Sequence, residues 1–435
     1  MMQRFHFLGI QGIGMSALAR ILLDRGIPVS GSDLSDISSL EALGVKRLET
    51  LPAQGTIVYS SAIPSDHPTL TAARKEKRSV FHRSELIHRL LKGKKGLLVA
   101  GTHGKTSTSS LLSWTLISAG LDPSFAVGGI LQNLQKNGGY GTGDLFVLEA
   151  DESDGSFLNY EGEGAIVTNI EQDHLAFWKN ETRLTEGFQT FIARVRDKKL
   201  LFWCNDNPLL KKIGPPGTSY GKEGDLSLVS CQQQGEKTFF SARFEGEVYR
   251  QIELPLMGEK LALNALAVFG LSLRLGISEE EIRKAFFTFK GIKRRHEKIG
   301  EIDSITIYDD YAHHPTEIKA LLKSLKKRGK KGRLIALFQP HRFSRTQELF
   351  SDFKGAFDSA DLLILTSIYP AGEEPIPGVT GKTLFKRIDK GKALFLEKES
   401  SLDYLVKILL PGDTLVTIGA GDITEFGPEL LRKLS

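Results

Sequence analysis

The segment Gly101-Thr102-His103-Gly104-Lys105-Thr106-Ser107 has the residue types and order needed to hold phosphate. It follows the apolar run Leu97–Ala100 and precedes a helical pattern over Ser109–Ala119, so strand, glycine loop and helix come in the order a P-loop requires. Backbone amides of such a loop cradle phosphate oxygens, Lys105 neutralises the β- and γ-phosphates, and the Thr106 hydroxyl reaches Mg²⁺. Val99 stands where the usual first glycine would be, which makes this a shortened variant. ATP with Mg²⁺ is the cofactor pair expected from it.

A second strand pattern, Phe146–Leu148, ends in Glu149-Ala150-Asp151-Glu152-Ser153-Asp154. A carboxylate at the C-terminal end of such a strand is where a P-loop enzyme holds its metal. These crowded acids repel one another, which suits a loop beside a cation better than a packed one. Another apolar run, Ala165–Ile170, leads into Glu171-Gln172-Asp173-His174. His174 could ligate a second ion or be a structural histidine, and spacing alone does not choose.

The chain also opens on a glycine turn, Gly9-Ile10-Gln11-Gly12-Ile13-Gly14-Met15-Ser16-Ala17, after the strand Phe5–Leu8. Gly12, Gly14 and Ala17 fit the G-x-G-x-x-A fingerprint, whose glycines let backbone and helix N-terminus approach a pyrophosphate. Asp33, about twenty residues on, could accept from a ribose hydroxyl. The fingerprint indicates a diphosphate nucleotide and carries no evidence of hydride chemistry. A third turn, Gly419-Ala420-Gly421-Asp422-Ile423, follows Leu415–Ile418 and is a weaker signal.

Two polar clusters complete the inventory. Asp309–Glu317 follows the strand Ile305–Tyr308, and Phe338–Thr346 follows Leu334–Leu337. Both lie just past strand ends, where open α/β sheets place ligands. The guanidinium forks of Arg342 and Arg345 match a carboxylate or a phosphate. His313 and His314 lack a third metal ligand at helical spacing.

Strands alternating with helices must build the frame that positions these groups, which means parallel sheets covered on both faces. At 435 residues the chain exceeds one ordinary core. Polar links near Leu91–Gly96 and Lys290–Lys293 divide it into segments 1–92, 93–292 and 293–435. The fold class expected is α/β in three domains: a Rossmann-like N-terminal domain, a P-loop central domain with a parallel sheet, and a Rossmann-like C-terminal domain. Alternating strands over Asp225–Leu254 add a small antiparallel patch to the central one. Net charge is only +5, so the composition does not indicate a nucleic-acid binder, and the basic run Lys323–Arg333 reads as a solvated helix end. No apolar run approaches the roughly 20 residues of a membrane span. The N-terminal glycines are wrong for a signal peptide. Cys204 and Cys231 form no metal spacing or disulfide framework, so the expected address is cytoplasmic.

Taken together, GIQGIGMS, VSGSD, YSSAI, GTHGKTST, EADESDGSFL, TNIEQDH, YDDYAHHPTE, FQPHRFSRT, YPAGEEPIPG and GAGDI resemble the Mur ligase family, in family order, from Phe5 to about Gly427. GIQGIGMS, FQPHRFSRT and YPAGEEPIPG point to its branch that joins alanine to a UDP-muramate sugar. The resemblance implies UDP-N-acetylmuramate and L-alanine as substrates, a bacterial source, and a monomer or weak homodimer. A tripeptide-attaching recycling ligase and a non-catalytic sugar-nucleotide binder are the alternatives. It implies that Gly12, Gly14, Met15, Ser16, Asp33, Ser60, Ser61, Arg83 and Glu85 serve the sugar nucleotide. ATP falls to Gly101–Ser107, Asn264 and Arg295, with Thr106, Glu149 and His174 on metal ions. Lys105, Glu149, His174, His313, Arg342 and Arg345 become the catalytic set, and Tyr311, His313, Arg342 and Arg345 border the amino acid. One departure stands out: Lys260-Leu261 replaces a His-Asn pair that the family places by the nucleotide base.

Overall fold

The computed structural model describes residues 4–329, 332–388, 391 and 393–435. Its contacts divide the chain into two compact units. One comprises Met1–Ser230, Phe240–Ile252 and Leu263–Lys290; the other comprises Cys231–Phe239, Glu253–Ala262 and Gly291–Ser435. Three sheets form the frame of an α/β protein.

The first sheet holds β1 (Phe5–Leu8), β2 (Val29–Ser32), β3 (Lys46–Arg47), β4 (Thr56–Tyr59) and β5 (Val80–His82) in the order β3-β2-β1-β4-β5. Every pairing is parallel. All four residues of β1 are buried, as a central parallel strand covered on both faces must be. The helix Ile13–Asp24 starts directly from the first glycine turn and buries Met15, Leu18, Ile21 and Leu22.

The second sheet comprises β6 (Lys95–Ala100), β7 (Ser124–Leu131), β8 (Lys136–Gly139), β9 (Leu145–Glu149), β10 (Gly164–Val167), β11 (Leu201–Cys204), β12 (Thr218–Gly221), β13 (Leu226–Gln234), β14 (Lys237–Phe244) and β15 (Glu247–Leu254). Its order is β15-β14-β13-β12-β11-β10-β6-β9-β7-β8. The core from β12 to β7 is parallel. The last three strands form the expected antiparallel patch, joined by tight turns at Gly235-Glu236 and Glu245-Gly246. Gly235, Glu245 and Gly246 there adopt the positive φ that such hairpins demand.

The third sheet contains β16 (Glu297–Ile302), β17 (Ile305–Asp310), β18 (Leu334–Phe338), β19 (Leu362–Leu365), β20 (Ala393–Phe395) and β21 (Thr414–Ile418), ordered β16-β17-β21-β18-β19-β20. Only β16 runs antiparallel. Alternate residues feed separate cores on its two faces. Tyr308, Ala336, Phe338 and Val416 pack on one side, and Ile307, Ile335, Leu337 and Leu415 on the other. That two-sided burial explains why these strands read as unbroken apolar runs.

Within the first unit the helix Ile13–Asp24 lies on β7 and β8. The approach is close: a Cβ on Gly138 would sit 2.5 Å from the carbonyl oxygen of Ala17. Asn137 locks the contact, its amide donating to Ile13 O at 2.7 Å and to Ser16 Oγ at 3.0 Å. Replacing Gly138 with alanine should therefore overpack backbone against backbone and cost about 1–3 kcal/mol. Urea titration, following the fluorescence change of the first unit, checks this, and an unchanged midpoint would refute the packing account.

Candidate active site

The phosphate loop joins β6 to the helix Lys105–Ser118, and glycine conformation sets its path. Gly104, at φ +83°, is the left-handed residue from which the helix starts. Gly101, at φ +136°, passes so close to Thr168 that a Cβ would lie 2.1 Å from its hydroxyl. The loop is further tied down by residues after β10. Thr102 N donates to Asn169 O at 3.1 Å, His103 N to Asn169 Oδ1 at 2.9 Å, and Thr168 Oγ1 to His103 O at 2.6 Å. Asn264 approaches from the helix Glu259–Arg274, its amide nitrogen 2.7 Å from where a Gly104 side chain would begin. Ser107 lies in the first turn of the Lys105–Ser118 helix, partly exposed.

Lys105 is nearly enclosed, its side chain 11% exposed, and its ammonium reaches Glu152 at 2.6 Å and Asp151 at 3.5 Å. Burial opposes that charge, but the carboxylates of Glu152, Asp151 and Glu149 outweigh it and hold Lys105 above the ordinary lysine range. Glu152, 1% exposed, is pushed up by burial despite its cation. Asp151 resists the same burial, because Lys105 and the Ser153 hydroxyl bring it down to about 2. Thr106 Oγ1 donates to Glu149 Oε1 at 3.0 Å, and Glu149 Oε2 accepts from Gly128 N at 2.7 Å. This hydroxyl and carboxylate form a hard-oxygen set that suits Mg²⁺. The buried Glu152 Oε1 has no protein partner, so unused anionic capacity also points into the loop. The residues present thus fit ATP phosphates with a divalent ion. His174, at φ +55°, lies near enough to bias Asp151 and Glu152 electrostatically.

The first glycine turn is set against the same acidic loop. Asp33 clamps the turn by accepting from Gln11 N at 2.7 Å and Ser35 N at 2.9 Å. Met15 is buried and the Ser16 hydroxyl is used within the fold, so Gly12 and Gly14 present mainly backbone. Arg83 lies over Gly14, with Nη1 2.9 Å from where a Cβ would stand. Glu85 closes a capping box on the helix Arg83–Leu91 by accepting from His82 N at 2.8 Å. Ser60 accepts from Ile63 N in the turn after β4, and Ser61 donates to Asp154.

In the second unit, β17 runs two residues further than the sequence pattern suggests. Asp309 and Asp310 are therefore buried strand residues, not loop groups. Their carboxylates are consumed locally: Asp309 accepts from Thr417 and Thr424, and Asp310 from the amides of His296 and Ala312. Beyond them Tyr311, His313, His341, Arg342 and Arg345 gather. Tyr311 and His313 meet edge to face at 5.6 Å, and His341 stacks on Tyr369 at 5.6 Å. Arg345 Nη1 approaches His341 Nδ1 at 3.2 Å. Arg342 holds φ +70°, its amide donating to Tyr369 O. Arg295 lies over Tyr311 at 5.2 Å and 3.8 Å from Glu317. Among the described residues no carboxylate comes within ion-pair distance of Arg342 or Arg345, although Glu373 is near enough for Arg342 to help hold its carboxyl down.

Sequence reasoning did not single out Glu152, His341, Tyr369 or Arg294. Arg294 donates to the carbonyls of Gly419 and Gly421, holding the last glycine turn beside this cluster. Tyr369 sits in YPAGEEPIPG and His341 in FQPHRFSRT, so the motifs carried a signal that individual residues did not.

Residues 4–95 match the Mur ligase family catalytic domain, 99–272 the Mur ligase middle domain, and 294–421 the Mur ligase glutamate ligase domain. The chain is 42% identical to the UDP-N-acetylmuramate–L-alanine ligase of Protochlamydia amoebophila, over 99% of this chain and 98% of that protein. Its identity to the enzyme of the same description from Geobacter sp. is 40%, with the same coverage. The crystal structure of UDP-N-acetylmuramate-alanine ligase from Thermotoga maritima matches with a TM-score of 0.85 at 27% identity, covering 99% of this chain and 98% of that one. A murein peptide ligase from Psychrobacter arcticus shares the fold, at TM-score 0.70 and 23% identity over 99% and 98% of the two chains.

Burial, with Arg345 and Arg342 alongside, lowers His341 from 6.5 to about 4. The folded state therefore keeps this imidazole neutral where the unfolded chain would protonate it. Its contribution to stability is complete above pH 6.5 and is lost as pH falls from there through about 4. His6, lowered likewise by burial and Arg78, adds a slope of the same sign. Thermal unfolding between pH 7 and 4 should show declining stability, and H341Q should flatten part of that decline. An unaltered pH slope in H341Q would refute the assignment.

Proposed function

This chain belongs to the Mur ligase family, and from that premise we propose that it joins L-alanine to the lactyl carboxylate of UDP-N-acetylmuramate at the expense of ATP. The observation that carries the ligase reading is the Lys105–Thr106–Glu149 constellation on a glycine loop. The relatives named for this same reaction, similar along nearly the whole chain, support the choice of alanine.

The sugar's carboxylate attacks the γ-phosphorus of ATP; the bond to the β-bridging oxygen breaks, giving an acyl phosphate and ADP. The amine of alanine then adds to that acyl carbon, loses a proton, and phosphate departs with the C–O bond, leaving the amide. Little covalent work falls to the protein, so positioning and charge dominate. Lys105 exchanges its carboxylate partners for phosphate oxygens. Amides of Gly101–Ser107 orient the triphosphate, with Asn264 against the loop. Thr106 and Glu149 would hold a Mg²⁺ ion and His174 a second, and bound there these would supply neutralisation of charge on the phosphoryl group. The backbone of the first glycine turn receives the UDP diphosphate. Arg342 and Arg345 take the amino acid's carboxylate through their guanidinium forks, beside Tyr311 and His313. His313 orients the amine or accepts its proton.

Phosphate release from ATP and Mg²⁺ should require both UDP-N-acetylmuramate and L-alanine. Lys105→Ala should reduce turnover by at least about a hundredfold, as expected for loss of a charge aimed at the transition state. Release with a stem tripeptide but not alanine would turn the assignment to the recycling reaction. Sugar-nucleotide binding without any release would show a non-catalytic binder.

A further inference from the structure

The acidic loop after β9 has a member that the phosphate chemistry leaves unused. Asp154 lies two residues beyond Glu152, the partner of Lys105, but meets Ser61 and the Arg83 that lies over the first glycine turn. Its Oδ2 accepts from Ser61 Oγ at 2.5 Å and lies 3.6 Å from Arg83 Nη2, while Oδ1 accepts from Ser156 N at 3.0 Å. Burial opposes its charge, yet the Ser156 and Ser61 bonds and Arg83 keep its carboxyl below the usual range. His82 extends the chain. Its Nδ1 accepts from Ser84 N, so its Nε2–H faces Ser61 Oγ at 3.1 Å, and the Ser61 hydroxyl in turn donates a hydrogen bond to Asp154. Arg83 meanwhile spans both sides: one guanidinium nitrogen lies against Gly14, and another reaches Asp154 and Ser156. The Arg83–Asp154 contact is loose, and Arg83 Nε is buried without a partner, so the guanidinium is held near the turn with capacity to spare.

We propose that Asp154 is a positioning residue that couples the sugar-nucleotide turn to the phosphate loop, aiming Arg83 and Ser61 so that the sugar's carboxylate meets the γ-phosphate. The proposal rests on the sugar-nucleotide reading of the first glycine turn. Asp154 acts through Arg83 and Ser61, since neither its geometry nor its bonds direct it at a reacting atom.

Phosphate release by purified D154N, S61A and the double variant, with ATP and UDP-N-acetylmuramate varied separately, tests this. D154N should lower kcat/KM for the sugar nucleotide about tenfold or more while the KM for ATP stays within about twofold, because alignment and not nucleotide binding is lost. S61A should cost about threefold alone and almost nothing in the D154N background, since the two share one interaction. Effects that multiply fully, a sugar-nucleotide kcat/KM within twofold of the parent, or a joint rise in both KM values with a fall in melting temperature would each overturn the proposal. If the parent protein releases no phosphate, the ligase reading has failed, and the coupling is then read by equilibrium binding. ADP should shift the affinity of the parent protein for UDP-N-acetylmuramate and leave that of D154N unmoved; the same response in both would overturn it.

Discussion

One ammonium group organises the first unit. Lys105 stands at the start of a helix, nearly out of water, and a lone charge there would be prohibitively costly. Glu152 and Asp151 make it tolerable, and in doing so they fix the conformation of the loop after β9. That loop is pinned on its far side by Trp178, whose indole donates to Glu152 O, and by Phe157 packed on Phe188 and Phe191. The Lys105 charge is thus held against acids, and the aromatic packing beneath keeps those acids in place.

The second unit holds cations of its own by other means. Arg342 and Arg345 are held at the end of β18 by backbone geometry and by His341, which burial keeps neutral. A protonated imidazole between two guanidinium groups would repel both. The stacked Tyr369 occupies the histidine's face, so the ring beside these cations is held in place.

Much of this was legible in the chain, for identifiable reasons. The phosphate loop and the buried strands could be read because glycine placement and continuous apolar runs are local properties. The strand Phe5–Leu8 emerges with the limits its sequence suggests. What could not be read depended on partners far away. Asp309 and Asp310 look like loop acids until Thr417, Thr424 and the amide of His296 arrive to bond them, which lets β17 continue through both. Glu152 was one acid among several until folding buried it beside Lys105. Met15 and Ser16 sit in a motif suited to ligand contact, yet on the helix that carries them Met15 is buried in the core and the Ser16 hydroxyl bonds Asn137 of β8.

That helix has a bearing on how the chain is made. Ile13–Asp24 leaves the ribosome well ahead of β8, whose glycine face it covers and which follows only after the rest of the first sheet, the phosphate loop and its helix have been synthesised. Until then an apolar helical stripe waits without its cover, and Gly138 and Gly139, having no side chains of their own, offer no substitute surface to shield β8. An early and a much later piece of the first unit complete one another, so co-translational folding of this unit cannot finish segment by segment.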